Sequence, residues 1–559
     1  MRLPSAPTII ALAFAVVAPA VALRYDLVDD EGYITYLGAL TLRQTPLAGF
    51  FFQKFHPSLS VLYAAVSALG WRTFLVAHAL FGAAGVYLAG SVAARLGGSG
   101  AVASAALALS PVYLLSAASG QSNSDGITLL LLALWLAGSG ERRARHVLAG
   151  LMLAAAVWAR YEFALAAALL GLHLTLDPRT RWAGAGLVAG PAVYLLAGAA
   201  YHHDALWWLH LPPTLPRLLP GRDPDALLPR DPAQVIVAAG QLSLVCAAWL
   251  LPLGLDPAGL PPGARRLRAA FLVTLAAMVL VPFLRVLNFE HSPRYLSAVL
   301  PFAAVLAGVW VAAPGAPRPA AGAAAFALLL GTVAFAESVT PSLLVALPLP
   351  LAVWVPTRTA RALLVVLACA ASAALAERRS SLLDGSRADP ATLAAARWIG
   401  ERGAGRALYT NDQHLALTLA ERGRRPTPRY LVAFDIQLEL LAMLDVRNGQ
   451  RDAVLRTISP HLYGEAAWVC EFIRRPPPPG ALFALTHEER IQRYFPRSFW
   501  EARARLVATF GGVEVWERRD EARDFSPEID RVLGMSRSTR DAPCDALGIR
   551  AAATTGGAP

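Results

Sequence analysis

The sequence predicts an α-helical polytopic membrane protein of about thirteen transmembrane helices, followed by a C-terminal soluble α/β domain, on three observations. Charged residues are 16% of the 559-residue chain, where a soluble protein carries roughly 25%. Apolar runs of near-spanning length recur from residue 8 to residue 376 and then stop. Between those runs, short loops rich in arginine alternate with loops that hold acids, histidines and aromatics.

Taken in order, the apolar runs fall at 8–23, 73–94, 101–118, 126–138, 147–159, 162–176, 183–200, 233–252, 269–287, 295–313, 320–336, 342–356 and 362–376. The first is read as a retained span, because no small-x-small cleavage site precedes a polar mature start. With Arg2 in the cytoplasm, the inside loops contain Arg95, ERRARH (141–146), DPRTR (177–181), ARRLR (264–268), Arg318 and TRTAR (357–361), as the positive-inside rule demands. The outside loops are 24–72, 119–125, 160–162, 201–232, 288–294 and 337–341. Within the first of them, PSLSVLYAAVSALG (57–70) reads as a helix lying in the interface. A span there would invert every later loop. The YHHD stretch (201–204) with its tryptophan-rich sequel reads as an aromatic belt.

After residue 376 the charge rises and no further span appears, so the expected division is a membrane domain at 1–376 and an extracytoplasmic α/β domain at 377–559. ATLAAARWIGERG (391–403) and QHLALTLAERG (413–423) have helical spacing, while GRALYTND, PRYLVAFD and GGVEVWERR read as strands. The stretch from 539 onward has a disordered composition. The net charge of +11 would suggest nucleic acid in a soluble protein. Here the basic residues serve topology, and no RNA-binding or zinc pattern occurs, so no nucleic-acid partner is expected. Cys246, Cys369, Cys470 and Cys544 stand far apart, without metal-ligand spacing, and do not define a redox compartment.

Chemistry-bearing residues gather in the outside loops. Asp29, Asp30 and Glu31 follow the first span and open a helix with Tyr33, Tyr36, Leu37 and Leu40 on one face. The helix N-terminus favours their negative charge; the alternative is a solvated flank with no role. Lys54, His56 and Pro57 stand before the interfacial helix, so one loop holds an acidic and a cationic cluster. Asp125 opens the 126–138 span and is equally suited to an N-cap. Arg160 and Glu162 lie between two short spans, where they would bind a ligand or pair with each other. Glu290, His291, Arg294 and Tyr295 precede the 295–313 span, as site residues or as interfacial anchors.

The stretch DDEGYITYLGALTL…PLAGFFFQKFHPSLSVLY resembles the first outer loop of the GT-C membrane glycosyltransferases, with the aminoarabinose (lipid A) transferases and protein O-mannosyltransferases nearest in pattern. Asp30 and Glu31 match the family's acidic pair, Lys54 and His56-Pro57 its second element, and Ser58 stands where a second proline is usual. The resemblance covers roughly 1–376, mostly as topology, and places Asp125 where these enzymes often hold a second acid.

It implies a polyprenyl-phosphate sugar donor, membrane lipids as surroundings, and a glycan, lipid or protein acceptor at the outer face of the inner (plasma) membrane. For such a donor, Asp30 is the candidate general base and Glu31 orients the base or the acceptor. Arg294 is the first candidate for the departing phosphate, with Lys54, His56, Arg160 and Tyr295 beside it, because a guanidinium grips phosphate in a planar fork. Asp29, Glu162 and His291 complete the candidate set. No cofactor is required, although Asp30 and Asp125 are hard oxygen ligands suited to Mg or Mn. The alternatives are a multi-span transporter or lipid flippase, against which no internal repeat is found, and a non-catalytic subunit of an envelope assembly.

Overall fold

The computed structural model describes residues 4–25, 27, 30–44, 46–51, 56–202, 205, 242, 247–284, 296–313, 348, 351–352, 355, 357–380, 390–403, 406–410, 429–430, 479–486 and 497–519. The first helix, α1 (Ala6–Tyr25), is apolar on every side and leaves Leu12 and Val16 exposed, as a lipid-facing helix should. It is followed by α2 (Asp30–Gln44), the short α3 (Pro46–Phe51) and α4 (Pro57–Ser67). Eleven residues of α4 rise about 16 Å, too short to cross a ~30 Å hydrocarbon core. This fits the interfacial reading. The second long helix, α5 (Trp71–Arg95), is mostly buried.

The 101–118 run is broken where a single span is expected. It forms α6 (Gly100–Ala108) and α7 (Pro111–Ser119), set at 63° to each other. Proline at 111 cannot continue α6, and Ser110 starts the new helix by accepting a hydrogen bond from the Tyr113 amide. Gly120 ends α7 at φ +85°, a conformation natural to glycine.

Then come α8 (Ser122–Ala137), α9 (Arg143–Ala159), a 3-10 turn (Tyr161–Phe163), α10 (Ala164–Leu176) and α11 (Ala183–His202). The axes of α9 and α11 approach so closely that a Cβ on Gly150 would lie 1.9 Å from the Ala183 carbonyl oxygen, and one on Gly186 1.9 Å from that of Val147. Small residues allow such contact between membrane helices. A further 3-10 segment (Ala247–Gly254) precedes α12 (Pro262–Leu284), α13 (Leu300–Ala312) and α14 (Arg358–Ser380).

Among the described residues three helices, α1, α5 and Ala183–Tyr201 of α11, are long and apolar enough to cross a membrane, and the bent α6–α7 pair makes a fourth. Shorter apolar helices cover the runs at 126–138, 162–176 and 295–313. The 320–336 run lies outside the described residues, as does most of 233–252 and 342–356. One continuous apolar core joins helices from α1 to α14, while α3 packs Phe51 against Tyr194 of α11 in a smaller cluster.

The arginine loops expected on one side gather at one end of the bundle. Arg95 Nη1 donates to the Trp135 carbonyl at 2.6 Å and to Ser139 Oγ at 2.8 Å. Arg145 donates to the Ser139 carbonyl at 2.5 Å, Arg266 meets Asp177 at 2.9 Å, and Arg361 reaches the Ala313 carbonyl at 3.3 Å.

The C-terminal part is a five-stranded mixed sheet of order β2-β1-β3-β5-β4: β1 (Leu408–Thr410), β2 (Arg429–Tyr430), β3 (Leu482–Thr486), β4 (Ala504–Phe510) and β5 (Val513–Arg518). Strands β1, β2 and β3 run parallel; β5 is antiparallel to both β3 and β4. Gly511 and Gly512 make the β4–β5 turn, with Gly511 at φ +54°. Helix α15 (Pro390–Arg402) lays Ala395, Ala396 and Ile399 on Leu482, Ala484, Val513 and Val515, and α16 (Arg497–Glu501) packs on β4. The expected helix at 391–403 and the strands within GRALYTND and GGVEVWERR are present. In PRYLVAFD only Arg429 and Tyr430 are described, and the expected 413–423 helix lies outside the described residues. Strands β3 and β4 are additions to what the sequence suggests. The last bundle helix runs to Ser380, past the expected boundary at 376.

Candidate active site

Opposite the arginine loops, the other end of the bundle brings together α2, α4, α8, the end of α9 and the start of the α13 segment. Helix α2 lies against the end of α7 through Gly32, where any Cβ would lie 2.3 Å from the Ser119 carbonyl oxygen. Glycine there lets Asp30 and Glu31 approach the polar turn at 119–125. The helix is not a free amphipathic surface: Tyr36 packs edge-on against Trp71 at 5.4 Å and on Phe74 at 5.6 Å.

Two side-chain networks occupy this end. In the first, the Arg160 guanidinium donates from Nε to Glu162 Oε1 at 3.0 Å and from Nη2 to the same oxygen. Its Nη1 donates to Glu31 Oε2, and to Asn123 Oδ1 at 3.1 Å. The Asn123 amide then donates to Ser297 Oγ at 2.9 Å. Arg160 and Glu162 are 5% and 2% exposed. Burial disfavours the guanidinium's charge, but Glu31 and Glu162 more than offset it, so Arg160 stays protonated.

His56 joins this network from α4. Its ring hydrogen-bonds the Ala159 backbone, and the neighbouring Ser58 donates to the Ala155 carbonyl at 2.9 Å. Burial, and next the charge of Arg160, lower the His56 pKa to about 3. The imidazole is therefore neutral at pH 7. Its one N–H is engaged by the Ala159 backbone, and it brings no charge to the cluster.

The second network is centred on Asp125, which is fully buried. Tyr63 Oη donates to Oδ1 at 2.5 Å, and His78 Nε2 lies 2.7 Å from Oδ2. The other ring nitrogen of His78 faces the Ala117 carbonyl at 3.0 Å. Asp125 is not the N-cap of α8; Gln121 holds that position and makes no side-chain cap. The carboxylate instead ties α4 to α5 and α8 from within.

The structure thus joins four of the sequence's candidates, Glu31, His56, Arg160 and Glu162, and sets Asp125 two residues from Asn123 on the same helix turn. The expected Arg160–Glu162 pair is present, with Glu31 added. Asp30 opens α2, but its side chain is outside the described set, as are Asp29, Lys54, Glu290, His291, Arg294 and Tyr295. Among the described residues no three His, Cys, Asp or Glu side chains are grouped to hold a metal ion, and both oxygens of Asp125 already have partners. Sequence reasoning did not single out Asn123, Tyr63, His78 or Ser297. A histidine inside an apolar helix was the available signal, since polar side chains at that depth need partners.

No family model and no curated protein matches the chain. Among solved structures, it is similar to the crystal structure of ArnT from Cupriavidus metallidurans in the apo state, with a TM-score of 0.50 and 16% identity over 92% of this chain and 98% of that one. The undecaprenyl phosphate-bound crystal structure of ArnT scores 0.47 at 16% identity over 91% of this chain and 97% of that one. The cryo-EM structure of arabinofuranosyltransferase AftD from Mycobacteria scores 0.41 at 14% identity over 92% of this chain and 40% of that one. The apo ArnT likeness runs along nearly the whole of both chains and shows a shared fold. The fold class expected from the sequence, a mostly helical part with membrane-type helices followed by a small C-terminal α/β unit, is the one this protein has.

Proposed function

We propose that this protein is a membrane glycosyltransferase that moves a sugar from a polyprenyl-phosphate donor to an extracytoplasmic acceptor, with inversion at the anomeric carbon. The observation that carries the reading is the first network: Glu31, the neighbour of Asp30, is linked through Arg160 and Asn123 to Ser297, three positions beyond Arg294. The first turn of α2 and the head of the α13 segment thereby meet at one end of the bundle, which supports the reading.

In this reading Asp30 takes the proton of the acceptor hydroxyl as it attacks the anomeric carbon. The bond to the phosphate oxygen breaks on the opposite face, so no covalent sugar–enzyme intermediate forms, unlike in a retaining hydrolase. The negative charge that grows on the departing lipid phosphate meets the Arg294 guanidinium and the Lys54 ammonium. Tyr295 adds a hydrogen-bond donor without charge, and His56, neutral and bonded to the Ala159 backbone, lines the same end. Glu31 holds the first turn of α2 in place. A divalent ion is not needed for any of these steps. The C-terminal α/β unit faces the same compartment as the site, and the enzyme resides in the inner (plasma) membrane.

The test is transfer of a labelled sugar from polyprenyl phosphate by the protein in reconstituted membranes. Asp30→Asn abolishes transfer while the protein still folds; an active Asp30→Asn enzyme removes the base assignment. Arg294→Ala weakens use of the donor more than use of the acceptor, and a change confined to the acceptor's Michaelis constant overturns the phosphate assignment. Lipid or solute movement across the vesicle without any sugar transfer would favour the transporter or flippase instead.

A further inference from the structure

At the end of the bundle away from the candidate site, the arginines divide by what their guanidinium groups touch. Arg95, Arg145, Arg268 and Arg361 donate to the carbonyl oxygens of Trp135, Ser139, Pro252 and Ala313. They satisfy backbone groups that helix ends leave open. Arg142 and Arg181 do not. Both are exposed, and among the described residues no acceptor lies at either side chain.

These two stand in one patch built from three segments. Arg143, in the first turn of α9, lies over the Trp182 ring, 5.2 Å from its centre. Arg266, in the first turns of α12, meets Asp177 at 2.9 Å in the loop between α10 and α11. Asp177 also accepts the Arg179 backbone amide at 3.0 Å, so both its oxygens are taken. Over 141–146, 177–181 and 264–268, eight arginines stand against two acids, Glu141 and Asp177, so the patch keeps a large positive surplus. Helix α9 also begins without a side-chain cap, and its first amides add to the pull on an anion.

The patch borders an apolar wall. Leu176, the last residue of α10, is 73% exposed, and Leu172 and Val188 are exposed beyond it on α10 and α11. Trp182 is exposed between wall and arginines, and tryptophan and arginine together mark headgroup depth. Topology asks only that basic residues stay on one side of a membrane. It does not ask three loops to converge with unmatched charge at the edge of such a wall. A free anion would use the charge alone, whereas a phospholipid uses both.

We propose that this patch binds the phosphodiester headgroup of an anionic phospholipid from the adjoining leaflet. The guanidinium forks of Arg142 and Arg181 take the phosphate oxygens, and the acyl chains lie along Leu172, Leu176 and Val188. Basic pockets between membrane helices suit such headgroups. The site is separate from the candidate active site and does not depend on the reaction assigned there.

The experiment titrates the full-length protein in mild detergent with phosphatidylglycerol or phosphatidylcholine and counts bound lipid by native mass spectrometry. Phosphatidylglycerol binds saturably, at least about tenfold more tightly than phosphatidylcholine. R181Q weakens it by about fivefold and R142Q/R181Q by about 25-fold. R358Q removes one exposed charge from the head of α14, at the same end but outside the patch, and leaves the affinity within about twofold. All of these side chains are exposed, so the variants fold, and melting temperatures near wild type check it. Equal weakening by R181Q and R358Q means diffuse attraction and overturns the site, as does equal binding of the two lipids. Millimolar inorganic phosphate leaves the bound lipid in place. If it displaces the lipid instead, the patch is a free-anion site and the lipid assignment falls.

Discussion

At one end of the bundle Arg266 meets Asp177 with 40% and 26% of the two side chains exposed. At the other, Arg160 meets Glu31 and Glu162 with only 5% of its side chain exposed. The first pair is open to solvent, so Coulomb attraction is weak and each partner keeps most of its hydration. The second lies out of water, where neither partner can be removed without stranding the other's charge. The same residue type marks topology in one place and holds distant segments in register in the other. Arginine count alone does not separate these uses; burial and partner number do.

The sharpest way to break this contrast is at Asp125. Asp125→Ala strands Tyr63 and His78, both buried, and is expected to lower stability by about 3–5 kcal/mol, read as a large drop in melting temperature and yield in detergent. A melting point near wild type would mean that this end is wetter than its burial indicates. Next in size is the α9–α11 contact, which lies between the two ends. Gly150→Val drives a side chain into the Ala183 carbonyl and should cost at least about 1–3 kcal/mol, measured the same way. An unchanged melting point would show that the two helices separate freely.

A smaller effect follows from His56. Its pKa in the folded protein, about 3, lies below the value of about 6.5 expected of an unfolded chain. Between those values the unfolded chain binds the extra proton, so stability is complete above pH 6.5 and declines as the pH falls toward 3. His56→Gln should flatten that part of the stability–pH curve; an unaltered slope assigns the acid sensitivity to other groups. The smallest change is expected at the solvated end. Arg266→Gln should shift stability by no more than about 0.5 kcal/mol, and by less in high salt. A loss comparable to that at Asp125 would erase the distinction between the ends.

Much of the bundle was legible because lipid imposes a strict rule: apolar stretches must be long, and basic loops must share a side. The loops at Arg95, 141–146, 177–181 and 264–268 obey it, and their arginines meet at one end. Proline at 111 was visible too, but a window of apolar residues does not report a bend. In the candidate site, the sequence yields the residues whose charge is conspicuous, Glu31, Arg160, Glu162 and Asp125. It does not yield the partners, because Asn123, Ser297, Tyr63 and His78 acquire their importance only from neighbours 174 positions away, as in the Asn123–Ser297 bond, or on other helices. In the α/β unit, β3 and β4 escaped for a similar reason. ALFAL is an unbroken apolar run without alternation, and β4 carries an irregularity in register between Leu506 and Ala508.

The 63° angle between α6 and α7 has a consequence for depth. With nine residues in each arm, an upright first arm rises about 13 Å and the tilted second adds only about 6 Å, against a hydrocarbon slab of ~30 Å. Together the two arms span less than the slab, so with α6 starting at one face the polar turn at Gly120 falls inside it rather than at the opposite face. A turn placed at that depth is open to a lipid-tethered ligand from within the leaflet, whereas a water-soluble one reaches it only along a hydrated path.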